Sequence, residues 1–151
     1  MVSAGGVSTP VLGLGSLRET ATMAPMQHRT PLAWAGALGA TAVALGAFGA
    51  HVLKGALQAA GMWDAWETAV TFQLLHAAAL LGVAAWLRAA PSPSRGIAWA
   101  ARLLAGGTVL FSGSLYALAL GGPRWIGPLT PLGGLSLVAG WTVAAAAALR
   151  G

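Results

Sequence analysis

The sequence predicts an all-α membrane protein: a polytopic four-helix bundle with both termini on the cytoplasmic side. Three observations carry that expectation. Four apolar stretches, roughly residues 31–53, 65–87, 97–120 and 131–149, each approach the ~20 residues that a helix needs to cross ~30 Å of hydrocarbon. Only 7% of residues are charged, against about 25% in a soluble domain, while 57% are hydrophobic. The basic residues are also unevenly distributed. Arg18, Arg29, Arg88, Arg95, Arg102 and Arg150 fall on one side of the four spans, with Lys54 and Arg124 on the other. The positive-inside bias assigns the larger group to the cytoplasm, giving an N-in/C-in topology.

Residues 1–30 carry scattered Gly, Ser, Thr and Pro without periodicity, and the run from Val11 to Leu17 is too short and Gly-broken for a signal-peptide core. They predict a disordered tail ahead of one membrane domain, 31–151, with Met23 or Met26 as alternative starts. The first span opens at Thr30-Pro31, a hydroxyl at a plausible N-cap and a proline where its missing N–H costs nothing. The second opens at Asp64, which with Glu67 resembles a capping box, and Pro91 and Pro93 end it. Gly121-Gly122-Pro123 ends the third, and Thr130-Pro131 repeats the opening signal for the fourth. Trp34, Trp86 and Trp99 are expected at the inner interface and Trp63, Trp66 and Trp125 at the outer one, while Trp141 is expected between helices. Ala42, Gly46 and Ala50, and Ser136, Gly140 and Ala144, form small-residue ladders suited to close helix packing.

Several function classes are disfavoured. Eight basic residues against three acids give a net charge of +5, but without a Lys/Arg run that would suit nucleic acid. The absence of cysteine removes disulfides, thiolate metal sites and thiol nucleophiles. Polar groups inside the spans are costly and therefore informative. His76 lies near the middle of the second span with Gln73 one turn earlier, and His51, Lys54, Asp64, Glu67, Tyr116 and Arg124 share the level of the outer interface. The candidate functional cluster is therefore His51, Lys54, Glu67, Gln73, His76, Tyr116 and Arg124. Within it Glu67 is expected to cap its helix or to pair with Lys54 or Arg124. Thr108, Ser112 and Tyr116 form an i, i+4 stripe expected to hydrogen-bond between helices. His76 admits both a packing role and a proton-carrying role.

Cofactor chemistry finds little support. His51 lies about nine residues beyond the middle of its helix, so it and His76 differ by roughly 13 Å in depth and cannot readily clamp one haem. Glu67 and His76, about 2.5 turns apart, point to opposite sides of one helix, which argues against a shared metal. No catalytic triad, phosphate-cradling glycine loop or metalloprotease motif occurs. The expectation is a protein without catalytic residues, cofactor or metal.

Four segments then resemble a known family. They are Leu45-Gly-Ala-Phe-Gly-Ala-His51 with Lys54 following, Trp66-Glu-Thr-Ala-Val-Thr-Phe-Gln-Leu-Leu-His76, Leu110-Phe-Ser-Gly-Ser-Leu-Tyr116, and Arg124-Trp-Ile-Gly-Pro-Leu-Thr-Pro-Leu-Gly-Gly134. Together they resemble the signature of the bacterial domain-of-unknown-function 423 proteins, small four-helix membrane proteins with a transmembrane relative in animals. The resemblance covers about residues 31–149 in order. Phe72 stands where the pattern has tyrosine, and the first 25 or so residues are additional to it. The resemblance implies a multi-pass protein of the bacterial inner (plasma) membrane and supplies no mechanism. The expected partners are the lipid bilayer and other membrane proteins or further copies of the chain, and no nucleic acid. A structural or accessory role leads, ahead of a small-solute or proton pathway through His76.

Overall fold

Within hydrocarbon the backbone must satisfy its own hydrogen bonds, which leaves helices as the way across for an open chain. The computed structural model describes residues 29–90 and 95–150 and contains no strand among them. Helix α1 (Arg29–Phe48) passes through a π-helical turn (Gly49–Leu53) directly into α2 (Lys54–Ala59). Helices α3 (Trp63–Ala89) and α4 (Arg95–Ala119) follow, then a 3-10 turn (Arg124–Ile126) and α5 (Leu129–Ala148). Among the described residues four helical segments are long and apolar enough to cross a membrane: Arg29–Ala59, Trp63–Ala89, Arg95–Ala119 and Arg124–Ala148. The chain is thus an all-helical four-span membrane protein.

Each span packs chiefly on its neighbour in sequence. The α4–α5 interface is the largest, followed by α1–α3 and α3–α4, while α1 only grazes α4. The second and third spans therefore form the centre, and the first and fourth flank them with most of their surface facing outward. One core cluster fills the middle and one end, built from Leu38, Leu80, Leu87, Ile97, Leu104 and Leu137 among others. A second cluster, around Trp66, Leu57 and Ala119, fills the opposite end.

Two glycines shape the turns at that opposite end. Gly61 (φ +66°) and Gly121 (φ +83°) both adopt the left-handed conformation in which an L side chain is strained. Beside them the Met62 N–H reaches the Leu57 carbonyl at 2.8 Å, and the Gly122 N–H reaches the Ala117 carbonyl at 2.8 Å. Both are Schellman closures, and they end α2 and α4 abruptly. The first span consequently runs past residue 53, the expected end, to Ala59, because nothing before Gly61 stops it.

The helix starts differ from the expected caps. Arg29 and Thr30, the last two residues of the expected 1–30 tail, are already helical, whereas the rest of that tail and the stop signals Pro91 and Pro93 lie outside the described residues. Helix α3 starts from Met62, whose carbonyl takes the Trp66 N–H, so Asp64 and Glu67 fall inside the helix and form no capping box. Helix α5 starts from Pro128, and the Thr130 N–H is already bonded to the Gly127 carbonyl. Its hydroxyl is thereby released for a contact with another helix.

The π turn has a geometric effect on the first span. Residues 35, 38, 42 and 49 face inward, and a regular helix would continue that face through Val52 and Ala56. A π turn accommodates an extra residue. The inward positions pass instead to half-buried Leu53 and to Leu57, which is only 2% exposed, while Val52 is 64% exposed. Ala50 of the expected small-residue ladder lies about 100° beyond Gly49 and is exposed, and Gly49 takes its place against the second span.

Candidate functional site

The polar groups of the spans separate into three sets. The first surrounds Trp66, the largest fully buried side chain, at 2% exposure. Its indole N–H donates to the Leu45 carbonyl at 3.2 Å, one turn before the π segment. Its ring meets Tyr116 edge-on at 4.8 Å between centroids. A Cβ added at Gly49 would collide with the indole, so only glycine lets the two helices approach here. Trp66 is therefore not part of an interfacial aromatic belt, as its position along the sequence suggested. Its place on α3, in phase with Ala69, Gln73 and His76 at steps of three and four, is the signal that identifies it as a core residue.

The second set lies deeper. Gln73 donates through its amide nitrogen to the Leu38 carbonyl at 2.9 Å and to the Thr41 hydroxyl at 2.7 Å, tying α3 to α1. His76 lies one turn further along. The Trp141 indole N–H, which can only donate, approaches His76 Nε2 at 3.3 Å. Nε2 is then the acceptor, and the ring proton belongs on Nδ1, which donates to the Phe72 carbonyl at 2.7 Å. Phe72 stacks beside His76 at 5.8 Å and on Phe111 at 4.6 Å. His76 thus has both nitrogens engaged within the protein. Trp141, expected between helices, is 52% exposed and reaches inward only with its N–H.

The hydroxyl stripe on α4 behaves differently from its expectation. Thr108 bonds back to the Leu104 carbonyl of its own helix at 2.7 Å. Ser112 Oγ and Tyr116 Oη are buried with no hydrogen-bond partner among the described residues. The hydroxyls that do join α4 to α5 are Ser114 with Thr130 at 2.7 Å and Ser136 with the Leu103 carbonyl at 2.9 Å. Ser114 lies two residues along from Ser112, about 200° around the helix, which turns it toward α5. Ser136 is marked by its place in the small-residue ladder of the fourth span, whereas Thr130 reads as a helix cap rather than as a partner for Ser114.

The third set is the charges. His51, Lys54, Glu67 and Arg124 all lie at the Trp66 end and are exposed. Lys54 sits over the Trp63 ring at 5.5 Å. Among the described residues Glu67 and Arg124 form no ion pair with each other or with Lys54, and His51 makes no hydrogen bond. Depth alone suggested that these groups converge. Their directions differ, because Glu67 follows Trp66 by about 100° around α3 and so points away from the packed face. No group of three or more His, Cys, Asp or Glu residues is arranged to hold a metal among the described residues.

Comparison with other proteins places these features in context. A family model described as "Protein of unknown function (DUF423)" matches residues 45–134, from the carbonyl that receives the Trp66 bond to the glycines that open α5. The Escherichia coli K12 protein called UPF0382 inner membrane protein YgdD is 43% identical over 126 residues, 83% of this chain and 93% of that protein. The Staphylococcus epidermidis protein called UPF0382 membrane protein SERP0230 is 44% identical over 116 residues, 76% of this chain and 92% of that protein. No solved structure matches the chain.

Proposed function

Since the chain belongs to the DUF423 family and is a multi-pass protein of the plasma membrane, we propose that it acts there as a non-catalytic accessory or assembly component. The observation that carries this reading is the engagement of the deep polar groups. The amide nitrogen of Gln73 and both ring nitrogens of His76, the groups best placed for chemistry inside the membrane, are directed at α1, α5 and their own helix. The exposed His51, Lys54, Glu67 and Arg124 face outward separately rather than toward one reacting centre. The protein holds no catalytic residue and no cofactor in this reading. It associates with the bilayer and with other membrane proteins or copies of itself, through flanks that its own bundle leaves uncovered. Its termini face the cytoplasm, which the arginine distribution supports.

Crosslinking in native membranes followed by purification in mild detergent tests the accessory role. A defined membrane protein or a second copy crosslinked in fixed stoichiometry supports it, and recovery of the free monomer alone counts against it. Topology is separately measurable because the chain has no cysteine. A Trp125→Cys variant should react with an impermeant thiol reagent outside the cell, and an Arg150→Cys variant only after the membrane is opened.

The second reading is a proton or small-solute pathway, favoured by the buried, unpartnered hydroxyls of Ser112 and Tyr116. Proteoliposomes decide between the two readings. A pH-driven flux in the wild type that vanishes in His76→Gln would establish the pathway and displace the accessory role.

A further inference from the structure

One stripe of α4 is neither packed nor fully apolar. Arg95, Trp99, Arg102, Gly106, Val109 and Gly113 follow one another at steps of four and three, and all are exposed. They therefore share a single outward face, away from both α3 and α5. Arg102 lies seven residues into the helix, about 10 Å from Arg95 along the axis, so the two guanidinium groups start from different depths on one face. Its guanidinium lies over the Trp99 ring at 5.1 Å, on the side nearer the helix start. Helical side chains lean in that direction, and a long basic side chain snorkels the same way. Among the described residues the only acids, Asp64 and Glu67, open α3, and that helix start packs beside the far end of α4 through Trp66 and Tyr116. Arg102 therefore has an aromatic wall and, among the described residues, no counter-charge of its own.

The same face changes character beyond Arg102. Gly106 and Gly113 present no side chain, and a Cβ built on either would meet nothing within 4 Å. With Val109 between them they form an open apolar strip about 10 Å long on the same face as the arginine. A cation backed by an indole, followed by an exposed apolar strip, matches the order of groups along a phospholipid: phosphate first, acyl chain after.

We propose that this face of α4 holds one anionic phospholipid, its phosphate between Arg102 and Arg95 against Trp99 and one acyl chain along Gly106, Val109 and Gly113. The site is independent of the accessory role and of any partner. Arginine suits it better than lysine because its planar fork can stack on the indole and still donate to phosphate oxygens.

Native mass spectrometry of the full chain in detergent, with added phosphatidylglycerol or phosphatidylcholine of matched chains, tests the site. The wild type should retain phosphatidylglycerol in preference, Arg102→Gln should lower that retention about fivefold, and excess inorganic phosphate should not displace the lipid. Gly106→Leu, which leaves the charge and the helix packing in place, should lower retention as well. Equal retention of both lipids, retention unaffected by Arg102→Gln, or displacement by inorganic phosphate would each overturn the proposal. Helicity by circular dichroism confirms that each variant is folded, and Arg102→Lys gives a second reading, expected between wild type and Arg102→Gln.

Discussion

The two seams of the bundle solve one problem by opposite means. Lipid is as apolar as leucine, so helices inside a membrane are held by close contact and by hydrogen bonds rather than by escape from water. Between α4 and α5 the backbones themselves come close. Gly133 lies against the Phe111 main chain, Gly140 against Leu104 and Gly107 against Leu137, with two hydroxyl bonds between them. Between the first and second spans a large side chain does the joining. Trp66 enters beside Gly49 and bonds the Leu45 carbonyl, and Gln73 repeats the device at Leu38 and Thr41. The first seam depends on what is missing from its side chains, and the second on what one indole and one amide reach once Gly49 has made room for the indole. A glycine-based seam should tolerate no added atom, whereas a side-chain-based seam should tolerate no deletion.

Reversible unfolding in mixed micelles, followed by circular dichroism, can break that contrast. The largest loss is expected for Trp66→Ala, about 3 kcal/mol, at the low end for such truncations because lipid supplies no transfer term. Gly133→Ala comes next at about 2 kcal/mol, since its Cβ meets main chain that cannot swing aside. The same change at Gly46 meets only the Val70 Cγ1 methyl at 3.2 Å and gains helix propensity, so it should stay within about 0.5 kcal/mol of wild type. Equal losses at Gly133 and Gly46 would erase the distinction between the seams. Gln73→Leu should cost about 1 kcal/mol, the scale of an interhelical hydrogen bond in a membrane. Least affected should be Glu67→Gln and Arg124→Gln. Both side chains are exposed and, among the described residues, unpaired, so the double variant should show only the sum of two small changes. A coupling between them would mean that they meet in solution.

The contrast also explains what the sequence made readable. The four spans follow from composition, and the Ser136/Gly140 ladder of the fourth follows from a repeat within one helix. Both are local signals, and both are present in the structure. The side-chain seam is not local. Nothing within the segment from Leu45 to His51 announces a π turn, because it occurs where an indole from another helix enters. Trp66 read as an interfacial residue because its depth in the membrane is right for one; only its direction around α3 differs. Glu67 and Arg124 failed to meet for the same reason. Hydropathy and length report how deep a residue lies, and the candidate site depended on angle. Thr130 resembled a cap because a hydroxyl before proline serves equally for capping and for a bond to Ser114.

The π turn has one consequence for how this chain can change length. Losing a residue from the middle of a regular span rotates everything beyond it by about 100° and turns its inner face outward. At Ala50 the outcome is reversed. Deleting it would let the segment close as ordinary α-helix, and the residues now called Leu53 and Leu57 would drop into the inward positions that Val52 and Ala56 fail to occupy. Gly49 would keep its place beside the indole. The π turn is therefore the place in the first span where a residue can be lost while the packed face on either side stays in phase.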